Sequence, residues 1–472
     1  MSNNVEQPTG IQPFWFDDAL RHEPPEDVVP LNSTVETDVC IVGGGYTGLW
    51  TAIKIKQQAP QTDVVILEAG LCGCGASGRN GGCMLTWSTK FPTLMRLYGI
   101  EQAISLVKAS EQAVWDIKRF CEAQQIEAEV RVDGAYYTAT NSAQLGVLDP
   151  VVGLLEQHSI NHWQAVQSEL LESLTGSAVN LSGLYTPNAG SLHPGKLVRG
   201  LVRVARKMGV KIFENSPMEE LAYGDPHQVK TAQGRVRSGK VVMATNSWMA
   251  RQFSSFRRSL LLVSSDMVIT KPIPETLAEI GLDHGRSVID SRTFVHYYRT
   301  TMDGRLMLGK GGNTFAFANQ MLAVFNRASP YEKLLKRTLN RFFPAEDMAI
   351  ERSWNGASDR SVSGFPFFGE MSGSKNVFYG LGYSGNGVVQ TYLGGEILSS
   401  LVLGKKNSWS CCALVNKPIE RFPFEPVRYL GANMVRNAIR RKECAEDSNQ
   451  TPKCWDVRLS RFAGNAGKAD KI

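Results

Sequence analysis

Residues 37–50 read TDVCIVGGGYTGLW. The apolar run 37–42 has the length of a short buried strand, and residues 49–58 have helical character. Between them Gly43-Gly44-Gly45-Tyr46-Thr47-Gly48 fits G-x-G-x-x-G. At that spacing Gly43 permits the tight turn, Gly45 lets backbone approach a pyrophosphate, and Gly48 lets the helix close on the strand. The helix start adds unpaired N–H groups and a partial positive charge, which favour phosphate. A second apolar run, DVVIL at 63–67, ends at Glu68, followed by Ala69. An acid at that place takes ribose hydroxyls. The βαβ unit therefore predicts a dinucleotide site.

The next loop, residues 75–82, reads GASGRNGG. Here the chain resembles the D-amino-acid-oxidase-like (DAO) family of FAD-dependent oxidoreductases, which includes glycine, sarcosine and gamma-glutamylputrescine oxidases. The resemblance implies that Ala76, Ser77, Arg79, Asn80, Gly81 and Gly82 run along the flavin pyrophosphate towards the ring. KVVMATN at 240–246 is similar to the strand that returns to the cofactor, and backbone near Met218 to the part that meets the adenine. Residues 379–387, YGLGYSGNG, precede an apolar helix and resemble the family's GxSGHG element. Gly382, Tyr383, Ser384, Gly385, Asn386 and Gly387 would aim N–H groups and a helix N-terminus at charge developing on the reduced flavin.

The departures are informative. The family's His in that element is Asn386, and a lysine that sarcosine oxidases carry two residues beyond it is Val389. Residues 354–369, WNGASDRSVSGFPFFG, resemble W-x-G-x-R-P…D-G-x-P-x-x-G, with Ser358 where the carboxylate-binding Arg stands and Ser363 where the Asp stands. Arg360 lies two residues further on, and its side chain is expected to face elsewhere. The bidentate fork for an α-carboxylate is thus absent from its usual place, which disfavours a simple glycine or D-amino-acid oxidase. Residues 293–300, TFVHYYRT, offer His296 and Tyr298 on one face of a strand and Tyr297 and Arg299 on the other. One set is expected to face the substrate cavity, and Trp354 is expected either at its wall or in the core.

The resemblance implies an α/β fold, with a Rossmann-like FAD-binding domain interleaved with a mixed-sheet substrate domain. The FAD domain is expected over 36–110, 185–255 and 350–405, and the substrate domain over 111–184 and 256–349. A leader at 1–35 carries Phe14-Trp15-Phe16, and 406–472 form a basic helical extension. The implied reaction is hydride transfer to FAD from the C–N bond of a small amine: an amino-acid derivative, a gamma-glutamylated polyamine or an aminophosphonate. Oxygen and a quinone stay open as electron acceptors. The alternatives are a hydroxy-compound dehydrogenase of the glycerol-3-phosphate type, a non-catalytic FAD-binding assembly factor, and a tRNA-binding flavoprotein.

Charge and cysteine content narrow the setting. Of 51 Lys and Arg, 14 fall in 405–472 with only 7 of the 45 acids, so the net charge of +6 resides there. Scattered basic residues on helical sequence read as a solvated extension rather than a nucleic-acid site. Nine cysteines in no even framework argue against a secreted disulfide scaffold, and no ligand spacing points to a metal. No apolar run reaches the length of a membrane span, and the polar start shows no signal core. A cytoplasmic setting is expected.

Overall fold

The computed structural model describes residues 13–23, 28–346, 348–415, 420–467 and 469–470. Two eight-stranded sheets organise the chain. The first runs Phe367–Glu370, Val377–Leu381, Arg235–Met243, Thr34–Val42, Val64–Leu67, Lys211–Phe213, with the hairpin Glu220–Ala222 and His227–Lys230 attached to its third strand. Its four central pairings from Val377–Leu381 to Lys211–Phe213 are parallel. Parallel strands are covered on both faces and need apolar runs. The last four residues of Thr34–Val42 and all of Val64–Leu67 are accordingly buried. The helices Tyr46–Gln58, Ile100–Ala123 and Gly387–Val402 pack together against this sheet.

The second sheet runs Ile350–Ser361, Leu260–Thr270, Leu306–Phe315, His296–Thr300, Ser287–Asp290, Ala135–Ala139, Ser182–Thr186, Gln164–Val166. His296–Thr300 and Leu306–Phe315 form the hairpin expected around residues 303–304, with Thr300 opposite Leu306. Ile350–Ser361 pairs along its whole length with Leu260–Thr270, from Ile350 opposite Thr270 to Ser361 opposite Leu260. The boundary expected at 350 is therefore displaced: this strand belongs to the second sheet, and the chain re-enters the first only at Phe367. Ser182–Thr186 also lies in the second sheet, so the expected return at 185 falls within a strand.

The segment read as a leader is in part a core element. Phe14–Arg21 is a helix that packs on the helix Pro194–Lys207. Trp15 and Phe16 are fully buried. An aromatic triplet buries too much surface to remain on a solvated arm. Residues 1–12 lie outside the described residues. The basic extension is largely helical: Val427–Asp447, Cys454–Ser460 and the short turns that follow.

Candidate active site

The glycine turn has no room for side chains. Gly43 has φ +113°, and a Cβ there would stand 2.6 Å from the Ala244 carbonyl oxygen. A Cβ on Gly48 would lie 2.0 Å from the Gly43 oxygen. Gly45 opens the helix Tyr46–Gln58 without a side-chain cap of its own. Instead Ser77 Oγ, from the second glycine loop, accepts from the Tyr46 N–H at 2.9 Å. Glu68 accepts from the Gly44 N–H at 2.7 Å and the Gly70 N–H at 3.0 Å. Burial pushes the Glu68 carboxyl above its ordinary range, and those two N–H donors oppose the shift. The carboxylate is thus oriented by backbone at the mouth of the turn.

Beyond Glu68, Leu31, Ala69, Asn215, Ser216, Pro217 and Thr231–Gln233 line a cavity of about 220 Å³. Ser216 is tied to the acid, its N–H donating to the Glu68 carbonyl at 2.8 Å. Met218, expected to meet the adenine, packs against the apolar cluster behind Pro217.

The loop 75–82 is fixed from three sides. Arg79 donates to the carbonyls of Cys74 at 2.7 Å and Phe325 at 2.8 Å, and the Arg79 carbonyl accepts from Trp354 Nε1 at 2.8 Å. Asn80 Nδ2 donates to the Ser77 carbonyl at 2.8 Å, while its Oδ1 accepts from the Gly82 N–H at 2.8 Å. Arg299 donates through Nε to the Gly81 carbonyl at 2.6 Å and through Nη2 to that of Leu192 at 2.8 Å. Its guanidinium lies 4.7 Å from the Trp15 ring centroid. Burial pushes Arg299 down to about 10, still a cation at neutral pH. Ala76 starts the short turn Ala76–Gly78 inside this loop.

The strand His296–Thr300 therefore turns Tyr297 and Arg299 towards the glycine loop, and a Cβ on Gly81 would lie 2.5 Å from the Tyr297 ring. His296 and Tyr298 face the other side. Tyr298 packs on Phe342 and Phe343 and donates to the Thr175 carbonyl at 2.7 Å. His296 Nδ1 lies 2.8 Å from Asp290 Oδ2. Burial, with Lys310 beside it, pushes His296 down to about 4. Neither is available at the cavity, because alternate side chains of a strand leave opposite faces of the sheet. Trp354 is a core residue, 5.9 Å from Trp15 and 6.4 Å from Phe14 between ring centroids.

The turn 382–387 meets the first motif directly. Tyr383 OH accepts from Thr47 Oγ1 at 3.0 Å. The turn is carried by Asp359, which sequence reasoning passed over. Its carboxylate accepts from the N–H groups of Gly382 and, at 3.2 Å, Tyr383, and its carbonyl accepts from the Ser384 N–H at 2.9 Å. Burial pushes Asp359 up to about 7 despite those bonds. Gly382, Ser384 and Gly385 all have positive φ, so the turn presents its backbone rather than its side chains. It leads from Asn386 into the helix Gly387–Val402.

Ser358 and Arg360 flank this turn. A Cβ on Gly385 would lie 3.5 Å from Ser358 Oγ and 3.6 Å from Arg360 Nη2. The expectation that Arg360 faces elsewhere is corrected: residues two apart on a strand share a face, so Arg360 and Ser358 point the same way. Among the described residues, Ser358 Oγ and Asn386 Oδ1 are buried without a hydrogen-bond partner. Buried polar atoms are nearly always paired, so such orphans mark where a bound molecule sits. Together with a glycine cradle that any Cβ would fill, they fit a large polar cofactor lying from Glu68 to Asn386.

Comparison with known proteins places the chain. Residues 38–401 match the family described as DAO, FAD dependent oxidoreductase. The chain belongs to this family. Gamma-glutamylputrescine oxidoreductase of Escherichia coli (strain K12) is 29% identical over 406 residues, 83% of this chain and 89% of that protein. Glycine oxidase of Geobacillus kaustophilus is 23% identical over 84% of this chain and 97% of its own length. The crystal structure of that glycine oxidase superposes with a TM-score of 0.66 and 21% identity, over 79% of this chain and 96% of the other. As a DAO-family member the protein is an FAD-dependent oxidoreductase, and the DAO fold accounts for the two interleaved sheets. Among the described residues no helix is long and apolar enough to cross a membrane.

Proposed function

We propose that the protein oxidises the C–N bond of a small primary or secondary amine: an amino-acid derivative, a gamma-glutamylated polyamine or an aminophosphonate. The observation that carries this reading is the pair of buried, unpartnered oxygens beside Gly385, Ser358 Oγ and Asn386 Oδ1. An amine N–H can donate to both oxygens, and the Ser358 hydroxyl can donate in turn. The 29% identical relative named for gamma-glutamylputrescine supports an amine whose acidic group lies away from the reacting carbon.

In this reading Gly43, Gly45, Tyr46, Thr47, Gly48 and Ser77 take the pyrophosphate of FAD. Glu68 takes its ribose, and the cavity beside Ala69 and Pro217 its adenine. Arg79, Asn80, Gly81 and Gly82 hold the loop along the cofactor, and residues 382–387 lie at the ring. Bound FAD supplies the two-electron acceptor for the α-hydrogen. The protein's part is to orient the amine, to keep water out through its apolar core, and to place the N-terminus of Gly387–Val402 where negative charge develops. Asp359 at the turn has its pKa pushed up to about 7 by burial and its carboxyl engaged by backbone N–H groups, so it supplies no strong base.

The test is anaerobic titration of the yellow holoprotein with sarcosine, D-alanine, gamma-glutamylputrescine, 2-aminoethylphosphonate and glycerol-3-phosphate. Bleaching of the visible flavin band by an amine is the expected result. Bleaching by glycerol-3-phosphate alone would replace amine with alcohol oxidation, and no bleaching by any of them would leave a cofactor-binding protein without this chemistry.

A further inference from the structure

A carboxylate from the extension is seated deep in the family region. The short turn Ser88–Lys90 runs into the helix Phe91–Tyr98 only a few residues after the Gly81-Gly82 pair. Lys90 is 2% exposed. Its Nζ lies 2.6 Å from Asp470 Oδ1. Thr93 holds the same carboxylate twice, its N–H donating to Oδ2 at 2.7 Å and its hydroxyl to Oδ1 at 2.8 Å. The Asp470 N–H in turn donates to the Thr89 carbonyl at 2.8 Å. Asp470 and the neighbouring Ala469 are both buried. A buried ammonium, a hydroxyl and an N–H in the first turn of a helix thus converge on one acidic group, the last two as hydrogen bonds and the first as an ion pair.

Two features set this socket apart from an ordinary tertiary contact. Lys90, Thr93 and Thr89 lie within the family match at 38–401, while Asp470 comes from beyond it. The socket also adjoins the candidate active site. Arg360 acts on Lys90 as a neighbouring positive charge, and Arg360 is the residue whose guanidinium flanks Gly385. Burial depresses the Lys90 pKa, and Asp470 opposes that shift. A buried ammonium left without an anion is costly, so the socket requires an anionic occupant.

We propose that the Lys90–Thr93 socket is a binding site for a small oxyanion, the acidic group of the substrate, and that Asp470 is the internal stand-in that occupies it between turnovers. The identification of that oxyanion as the substrate's rests on the amine-oxidation reading above; the anion site itself does not. Asp470 fills the place between Lys90 and Thr93, so an incoming anion competes with it for the same donors. A tethered competitor acts at high effective concentration and weakens the apparent affinity of any free ligand.

The experiment uses the holoprotein and two probes, inorganic phosphate and acetate, followed by calorimetric titration at constant ionic strength. Asp470→Ala is expected to bind at least one probe about tenfold more tightly than the wild type, and the double variant K90M/D470A is expected to lose that binding. Preference for phosphate or for acetate assigns the oxyanion class. Asp470→Asn keeps the side-chain shape and removes only the charge, so it stands in if the alanine variant is unstable. A D470A or D470N protein that binds neither probe more tightly than wild type overturns the proposal, and so does equal binding by K90M/D470A. Steady-state kinetics separate the two readings: D470A should lower KM for an amine that carries an acidic group while leaving kcat in place. Anion binding as expected with no amine turnover would remove the amine reading alone. Turnover with anion binding unchanged by D470A would remove the socket alone.

Discussion

Asp359 shows how much one buried side chain can decide. Its carboxyl accepts from the N–H groups of Gly382 and Tyr383 and its backbone carbonyl from that of Ser384, yet burial dominates and pushes its pKa up to about 7. The folded protein therefore binds a proton at Asp359 that the unfolded chain, with an ordinary aspartate near 3.8, releases. This contribution to stability is fully present below about pH 4 and is lost as the pH rises to 7 and beyond, with a slope of up to about 1.4 kcal/mol per unit. Asp359→Asn cannot ionise, and its amide oxygen can still accept from Gly382 and Tyr383. Its urea midpoint should therefore change less between pH 5 and 8 than that of the wild type. Parallel curves for the two proteins would mean that Asp359 is not held protonated by its surroundings.

At the scale of elements, the site is made where three separate segments are tied to one loop. The loop 75–82 hangs on Arg299 from the second sheet, on Trp354 from its edge strand, and on Ser77 capping the helix Tyr46–Gln58. The glycine motifs were legible because spacing alone carries their physics: a turn that tolerates no Cβ must be glycine wherever the rest of the chain goes. Arg299 was legible only as one member of an alternating strand, because period-two alternation separates the faces without saying which face meets which sheet. Asp359 was not legible at all, since its partners are backbone groups more than twenty residues away. Phe14–Phe16 misled for a related reason: aromatic clustering shows that surface will be buried, not what will bury it. Replacing Arg299 by Met should remove the guanidinium donors from the carbonyls of Gly81 and Leu192, costing about 3 kcal/mol, and should release FAD from the purified protein. Arg299→Lys can reach only one of those carbonyls and should fall between the two. Undiminished urea stability and full flavin content in the Met variant would show that the loop holds itself.

The whole molecule resolves the charge asymmetry between its two ends. The basic surplus after residue 405 was expected on a solvated helical extension, and much of it is instead spent on the second sheet. Arg428 donates to the carbonyls of Arg257 at 2.7 Å and Leu260 at 2.9 Å, and is itself paired with Glu425. Arg440 and Arg436 reach the Asn313 side chain and carbonyl, both at 2.7 Å, while Asp447 pairs with Arg292 on the far side. These charges tie the helix Val427–Asp447 to the second sheet and to the segment that enters it. Arg428 is the most buried of them at 4% exposed, and its loss leaves the Glu425 carboxylate without its cation, while Asn319 still donates to the carbonyls of Arg257 and Leu260. Arg428→Ala should cost about 3 kcal/mol in the first unfolding transition. Glu425→Gln in the same chain should restore part of the stability, because the stranded acid is then neutral. An unchanged midpoint for Arg428→Ala would mean that the extension rests on the fold rather than completing it.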